Sequence, residues 1–341
     1  MMRVVIAGLV LFATVASADD RTADTQRLLG LLDGVRTTYV EAFDDDEGEL
    51  IRPLELEEAR LLLKEVRQID EHLGLVDATS VAALDQELHG VVLGDRLPEL
   101  IDGLLARVTA ATGVQAETLP PAPPSVARGR ALFVDNCATC HAADEAERRR
   151  MAAPDFKQLT FMRRETPRDF FTMLSLGRRK SAMPEWSQAF SVQQRWDSVA
   201  YVWTLAQSDA EHREAAVIYG AHCVGCHGSR GEGVTGQAPD LSRPGSLIDQ
   251  TDRTLMTVLS RGRRTMPPFG ATLDDRQRWL AVSHLRGLSL GGGGSLPAVG
   301  ATPVAATVVP ADPRGLLQQR GIDPADVSRE IGEHMRHRFE R

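Results

Sequence analysis

All four cysteines of this 341-residue chain fall in two copies of one pentapeptide, Cys137-Ala138-Thr139-Cys140-His141 and Cys223-Val224-Gly225-Cys226-His227. Two thiols separated by two residues, with an imidazole directly after them, form the attachment signature of c-type haem. Both thiols add to the vinyl groups of the porphyrin, and the adjacent His is thereby placed as an axial iron ligand. Disulfide, zinc and thioredoxin-like uses of paired cysteines need no His immediately after each pair. The expected cofactors are therefore two covalent haem c groups. Cys137 and Cys140 hold one, Cys223 and Cys226 the other, with His141 and His227 on the metal.

The pentapeptides belong to a longer internal repeat, 126–207 and 212–289. Phe133 matches Tyr219, Ala153-Pro154-Asp155 matches Ala238-Pro239-Asp240, Met183-Pro184 matches Met266-Pro267, and Arg195-Trp196 matches Arg278-Trp279. Met183 lies 42 residues after His141 and Met266 lies 39 after His227. A thioether is a soft ligand that favours ferrous iron, so each Met-Pro is the expected source of the sixth ligand. Met173 and Met256, inside helix-like runs, are expected to pack in the core. The carbonyls of Pro154 and Pro239 are expected to accept a hydrogen bond from the His Nδ1–H. The arginines ahead of each Met (Arg178, Arg179; Arg261, Arg263, Arg264) are candidates to pair with haem propionates. His284, where the first copy has Tyr201, is a candidate surplus ligand of low rank.

The rest of the chain is read around this pair. Met1 to Ala18, with a basic start, an apolar run and Ala16-Ser17-Ala18, reads as a signal peptide, so the mature protein is expected in the periplasm, with only indirect membrane association. Residues 19–119 read as an acidic helical domain with leucine-rich stripes around Leu28–Val35, Leu61–Ile69 and Leu100–Val108. Residues 120–125 form a Pro-rich linker, 290–313 a low-complexity linker, and 314–341 a polar tail. Residues 19–120 hold 23 acidic and 9 basic side chains, and residues 121–290 hold 18 and 23. Such opposed balances predict charge-driven docking that weakens with salt. Nothing in the composition points to nucleic acid.

From Cys137 to Leu288 the chain resembles tandem class I cytochromes c. That resemblance implies an all-α fold: an N-terminal helical bundle, two tandem class I cytochrome c domains and a low-complexity or helical tail. Gly129 and Trp196 match the close contact of first and last helices in that family, with Ala215 standing in for the glycine in the second copy. A narrower resemblance covers residues 24–206. Leu32-Asp33, Tyr39-Val40 and Glu47-Gly48-Glu49 ahead of Glu55 look like the extracytoplasmic domain that precedes a cytochrome domain in certain bacterial high-affinity iron permeases. Arg329-Glu330-Ile331-Gly332-Glu333 repeats a short pattern of those permeases within a polar tail. The implied partners are redox proteins, among them a membrane iron permease or a respiratory complex.

The leading expectation is an electron carrier rather than an enzyme. A haem enzyme of peroxidase or thiosulfate-oxidising type needs an exchangeable coordination position, which two axial methionines would fill. A third reading is an iron-handling module, with carboxylates such as Asp44-Asp45-Asp46-Glu47 as hard ligands.

Overall fold

The computed structural model of the chain describes residues 18–291, apart from 44–47, 91–92, 118, 143, 152, 180 and 236–237. The expected signal peptide, but for Ala18, lies outside the described residues, as do Asp44–Glu47, all of the C-terminal linker beyond Gly291, and the tail with its Arg329–Glu333 motif. Among the described residues the fold is all-α, with isolated β-bridges in place of strands. No helix among them is long and apolar enough to cross a membrane.

Helices α1 (Ala18–Glu41), α2 (Pro53–Leu73), α3 (Ala78–Glu87) and α4 (Arg96–Thr112) form the N-terminal bundle. Pro53 opens α2, where its missing N–H costs nothing, and Gly74 ends it at a φ of 63°. Between them Leu56, Ala59, Leu62, Leu63, Val66 and Ile69 recur at helical spacing and are buried. Each fully buried aliphatic side chain of this kind contributes about 1.5–3 kcal/mol. The buried set on α1 is wider than one stripe: Leu28, Leu29, Leu31, Leu32 and Val35 are all inaccessible to solvent. Three neighbours explain it, because α1 packs on α2, on α4 and on α9 of the next domain.

The first repeat contains α5 (Val126–Asn136), α6 (Ala138–His141), α7 (Glu145–Met151), α8 (Leu159–Met162), α9 (Pro167–Leu176) and α10 (Val192–Thr204). The second contains α11 (Asp209–His222), α12 (Val224–His227), α13 (Asp252–Arg261) and α14 (Asp275–Ser289). Local sequence sets these boundaries. Thr166 with Asp169, Ser191 with Gln194, Ser208 with Glu211 and Asp274 with Gln277 each close a reciprocal capping box at a helix start. In each repeat the first helix crosses the last, α5 on α10 and α11 on α14. At the first crossing Gly129 lies so close to Asp197 that a Cβ would sit 1.8 Å from its carbonyl oxygen. Buried Asp197 fastens the Pro-rich linker to this crossing. It accepts a hydrogen bond from Ser125 N at 2.7 Å and pairs with Arg128 Nε at 2.6 Å.

The repeats share an interface in which two arginines, one of them buried, face rings of the other repeat. Arg286, 1% exposed, donates Nε to Asp252 at 2.6 Å and its other nitrogens to the carbonyls of Leu247 and Gln250. Its guanidinium also lies 5.5 Å from the centre of the Trp203 ring, across the domain boundary. In the opposite sense, Arg163 of the first repeat sits 3.7 Å over Trp279 of the second.

The bundle docks on the first repeat through apolar contact as well as charge. Leu176, the last residue of α9, belongs to the apolar core of the bundle. It is received at Gly34, where a Cβ would come within 2.5 Å of its Cδ1. The expected charged contact is thus joined by an apolar one: a leucine is inserted into the bundle, and salt does not screen that contact.

Candidate haem centres

Each Cys-x-x-Cys-His pentapeptide forms a single tight turn at the end of its repeat's first helix. In the first repeat Cys137 N donates to Phe133 O at 2.8 Å, closing α5, and His141 N donates to Cys137 O at 2.9 Å. In the second, Cys223 N donates to Tyr219 O and His227 N to Cys223 O, both at 2.9 Å. Cys137 has φ and ψ of −114° and −30°, and Cys223 has −117° and −31°. The two turns thus superpose in backbone conformation, and all four thiols are free.

Cys137, Cys140, Cys223 and both histidines are partly buried, and Cys226 is exposed. Burial pushes the Cys137 thiol up to about 12, with Cys140 adding to the effect, and the Cys223 thiol up to about 11. Burial also pushes His141 down to about 4, against the opposing pull of the Pro154 carbonyl. A neutral imidazole keeps a lone pair for a metal. His141 Nδ1 faces Pro154 O at 3.5 Å, a long contact in the expected position. In the second repeat His227 Nδ1 is buried with no hydrogen-bond partner, so the contact expected to Pro239 is not made. His284 instead packs against the Tyr219 ring, 4.5 Å between centroids, and burial lowers its pKa.

The walls of the first centre are aromatic. Phe156 stacks on His141 at 4.6 Å and touches Phe133, Phe161 and Phe170, and Phe170 meets Trp203 edge-on at 5.0 Å. This chain of rings runs from the attachment turn to the boundary with the second repeat. The second centre is walled mainly by aliphatic residues, among them Leu241, Leu255, Leu259 and Leu280.

The two methionines lie on homologous loops. Gly177 and Gly262 end α9 and α13 at φ 69° and 75°, a region open to glycine. Both glycines abut the backbone of the Met-Pro that follows, at 2.8 Å from Met183 O and 2.6 Å from Met266 O for an added Cβ. The next residue locks each loop in the same way: Arg178 N donates to Met183 O and Arg263 N to Met266 O, both at 3.1 Å. Met183 packs against a cluster of Leu132, Leu174, Trp186 and Phe190, and Met266 against the core of the second repeat. Leu132 and Phe133, adjacent on α5, face the Met183 cluster and the Phe156 wall respectively. Met173 and Met256 are partly buried on α9 and α13.

Donor chemistry suits covalent haem: two free thiols and an imidazole on one turn, a thioether on a pinched loop, and apolar walls. The buried, orphaned Nδ1 of His227 is a further polar atom in this second set.

The expected pairing of Arg178 and Arg179 with propionates is overturned. Arg178 Nη2 donates to Glu55 at 2.6 Å. Arg179 donates its backbone N to Glu58 at 3.0 Å and its Nε to Glu65 at 2.6 Å. Local sequence could not reveal this, because Glu55, Glu58 and Glu65 lie on α2 of the bundle. Their legible trace was a row of carboxylates beside the leucine stripe. A second acidic group, buried Glu165 with partly buried Glu41 and Asp169, gathers at the same domain boundary with ligand atoms within 4.8 Å of one another.

Comparison with known proteins defines the class. Residues 124–202 and 210–285 each match the family described as "Cytochrome C oxidase, cbb3-type, subunit III". The chain therefore carries two tandem c-type cytochrome domains of that type. Among curated relatives, the cbb3-type cytochrome c oxidase subunit FixP of Rhizobium meliloti is 34% identical over 27% of this chain and 30% of its own length. The corresponding subunit CcoP of Rubrivivax gelatinosus is 32% identical over 35% of this chain and 39% of its own. The chain thus spans about a third of the length of the curated relatives it matches. A chain of the Kuenenia stuttgartiensis reducing HAO-like protein complex aligns over 49% of this chain and 98% of its own at 17% identity, with a TM-score of 0.21, below what a shared fold requires.

Proposed function

We propose that this protein is a periplasmic dihaem c-type cytochrome that carries electrons, each haem covalently attached and bound by a His/Met pair: His141 with Met183, and His227 with Met266. The observation that carries this reading is the duplicated site: the same attachment turn and the same Gly-Arg-locked Met loop, built twice. Haem supplies one-electron exchange between ferrous and ferric iron. The protein's own residues do the rest. The α6 and α12 turns fix thiols and imidazole at one spacing. Burial keeps His141 neutral, and the aromatic wall keeps water from the centre, which favours a high reduction potential.

The relatives support a respiratory partner, since both are oxidase subunits. They also support a carrier over a haem enzyme of peroxidase or thiosulfate-oxidising type. The test is direct. The mature chain should retain haem colour on a denaturing gel and gain the mass of two haems. Met183→His and Met266→His should each lower one potential, because imidazole favours ferric iron more than a thioether does. An unmodified mass from a host with haem-attachment machinery, or potentials that ignore both substitutions, overturns it.

A second reading, service to an iron-uptake system, is favoured by the Glu41–Glu165–Asp169 group, whose oxygens suit a hard cation as substrate. Arg52 already pairs with Glu165 at 3.3 Å and offsets part of that charge. Anaerobic calorimetric titration of the full chain with ferrous ion tests it. Binding lost in Asp169→Asn supports it; absent binding, or binding unchanged in that variant, refutes it.

A further inference from the structure

We infer that the acidic bundle is a built-in clamp on the loop that carries Met183, and that the corresponding Met266 loop has none. The two haem centres are then inequivalent in how firmly the sixth ligand is held. This inference rests on the His/Met reading above.

The bundle grips the first loop on both sides of the methionine. Upstream, Arg178 meets Glu55 at 2.6 Å, and Arg179 meets Glu58 through its backbone and Glu65 through its side chain. Downstream, Arg27 of α1 pairs with Glu185, two residues past Met183, and reaches back to Glu65 at 3.2 Å. Glu65 thus ties the two grips together. Leu176, just ahead of the loop, is anchored in the bundle core. The electrostatics agree. Burial would raise Glu65, but Arg179 and Arg27 outweigh it and hold the carboxyl below its usual range. Glu55 raises Arg178 against the cost of its burial.

The second repeat supplies an internal comparison. Gly262, Arg263 and Arg264 stand where Gly177, Arg178 and Arg179 stand, and the Arg263–Met266 backbone lock is intact. Yet Arg263 and Arg264 are exposed, and no ion pair holds either of them among the described residues. Arg264 also sits at a φ of 55°, unusual for a residue with a side chain. The second loop is two residues shorter between its glycine and its methionine, but the lock is shared and the ion pairs are not: an outside ligand can displace the thioether only when the loop opens, and the clamp keeps the open fraction small in the first repeat alone. Apparent affinity for such a ligand scales with that open fraction.

The experiment uses oxidised full-length holoprotein titrated with imidazole, following the weak red absorption of the ferric iron–thioether bond. Met266→His removes the contribution of the second centre and so assigns the phases. The wild type should lose the band in two phases, the second repeat first. Glu58→Gln with Glu65→Gln should move the first-repeat phase about tenfold towards the other, the size expected for losing a charge-assisted pair. Arg27→Gln, which removes the downstream grip and its tie to Glu65, should shift that phase in the same direction. Far-UV circular dichroism establishes that each variant is folded. Coincident phases in the wild type, or a first-repeat phase unmoved in both variants, overturns the clamp. Absence of the band before imidazole is added refutes methionine ligation itself, a separate result.

Discussion

Gly129→Ala tests the geometry on which the first haem domain is built. A Cβ at position 129 would lie 1.8 Å from the carbonyl oxygen of Asp197, 2.5 Å from its carbon and 2.9 Å from Tyr201 Cβ. Two of these three neighbours are backbone atoms, so a side-chain rotation cannot relieve the contact. Real Cβ atoms essentially never approach closer than 3.0 Å, so α5 and α10 must part by about 1 Å. The same crossing buries Phe133, Trp196 and Ala200 and holds the Asp197–Arg128 pair. Overpacking of this kind costs about 1–3 kcal/mol. With the clash on backbone, the upper end applies, and the better helix propensity of alanine returns about 1 kcal/mol. The net loss of about 2 kcal/mol corresponds to a fall of roughly 10 °C in Tm for a domain of this size. Thermal unfolding followed by far-UV circular dichroism and visible absorption measures it. Ala215 occupies the matching position on α11, so Ala215→Gly provides the reverse comparison and should cost only about 1 kcal/mol of helix propensity. A Tm unchanged or raised in Gly129→Ala would refute the close-crossing argument.

Leu176→Asp should release the bundle from the first repeat, since it places a charge in the bundle core; small-angle scattering should report a larger radius of gyration, whereas wild type should stay compact as salt rises. Arg286→Ala leaves Asp252 with its buried charge uncompensated and should lower stability by about 3 kcal/mol in urea unfolding. Burial and the neighbouring Glu165 push Asp169 up to about 7, and burial with Asp169 and Glu165 holds Glu41 well above its usual range. These carboxyls bind protons more tightly in the folded state, so their contribution to stability is full below the unfolded value of about 4 and is lost as pH rises through about 7. Urea midpoints should therefore drop between pH 5 and pH 8, and Asp169→Asn, which can still cap α9, should flatten that slope.

The chemistry and much of the fold were legible because they depend on near neighbours in the chain. Cys-x-x-Cys-His closes on itself within one turn. The Ser, Thr and Asp caps answer to residues three positions on, and Gly177 and Gly262 take the positive φ at which each Met loop turns back. The repeat made the second site readable from the first. Leucine spacing predicted helices in the bundle, although the breadth of the α1 set made sense only once α9 was seen against it. What the local sequence left open were the pairings of charges. Arg178 and Arg179 read as candidates for propionates because nothing nearby competes for them; their partner Glu55 lies 123 residues away from Arg178. Nothing in the local sequence marks Arg286 as buried, yet it is 1% exposed and lies beside Trp203 of the other repeat. A hydrophobic period records which face of a helix leaves water, but not which other face it meets. Ion pairs between helices add no such period. Their partners are set when helices distant in the chain come to rest against one another, and tertiary packing alone decides that.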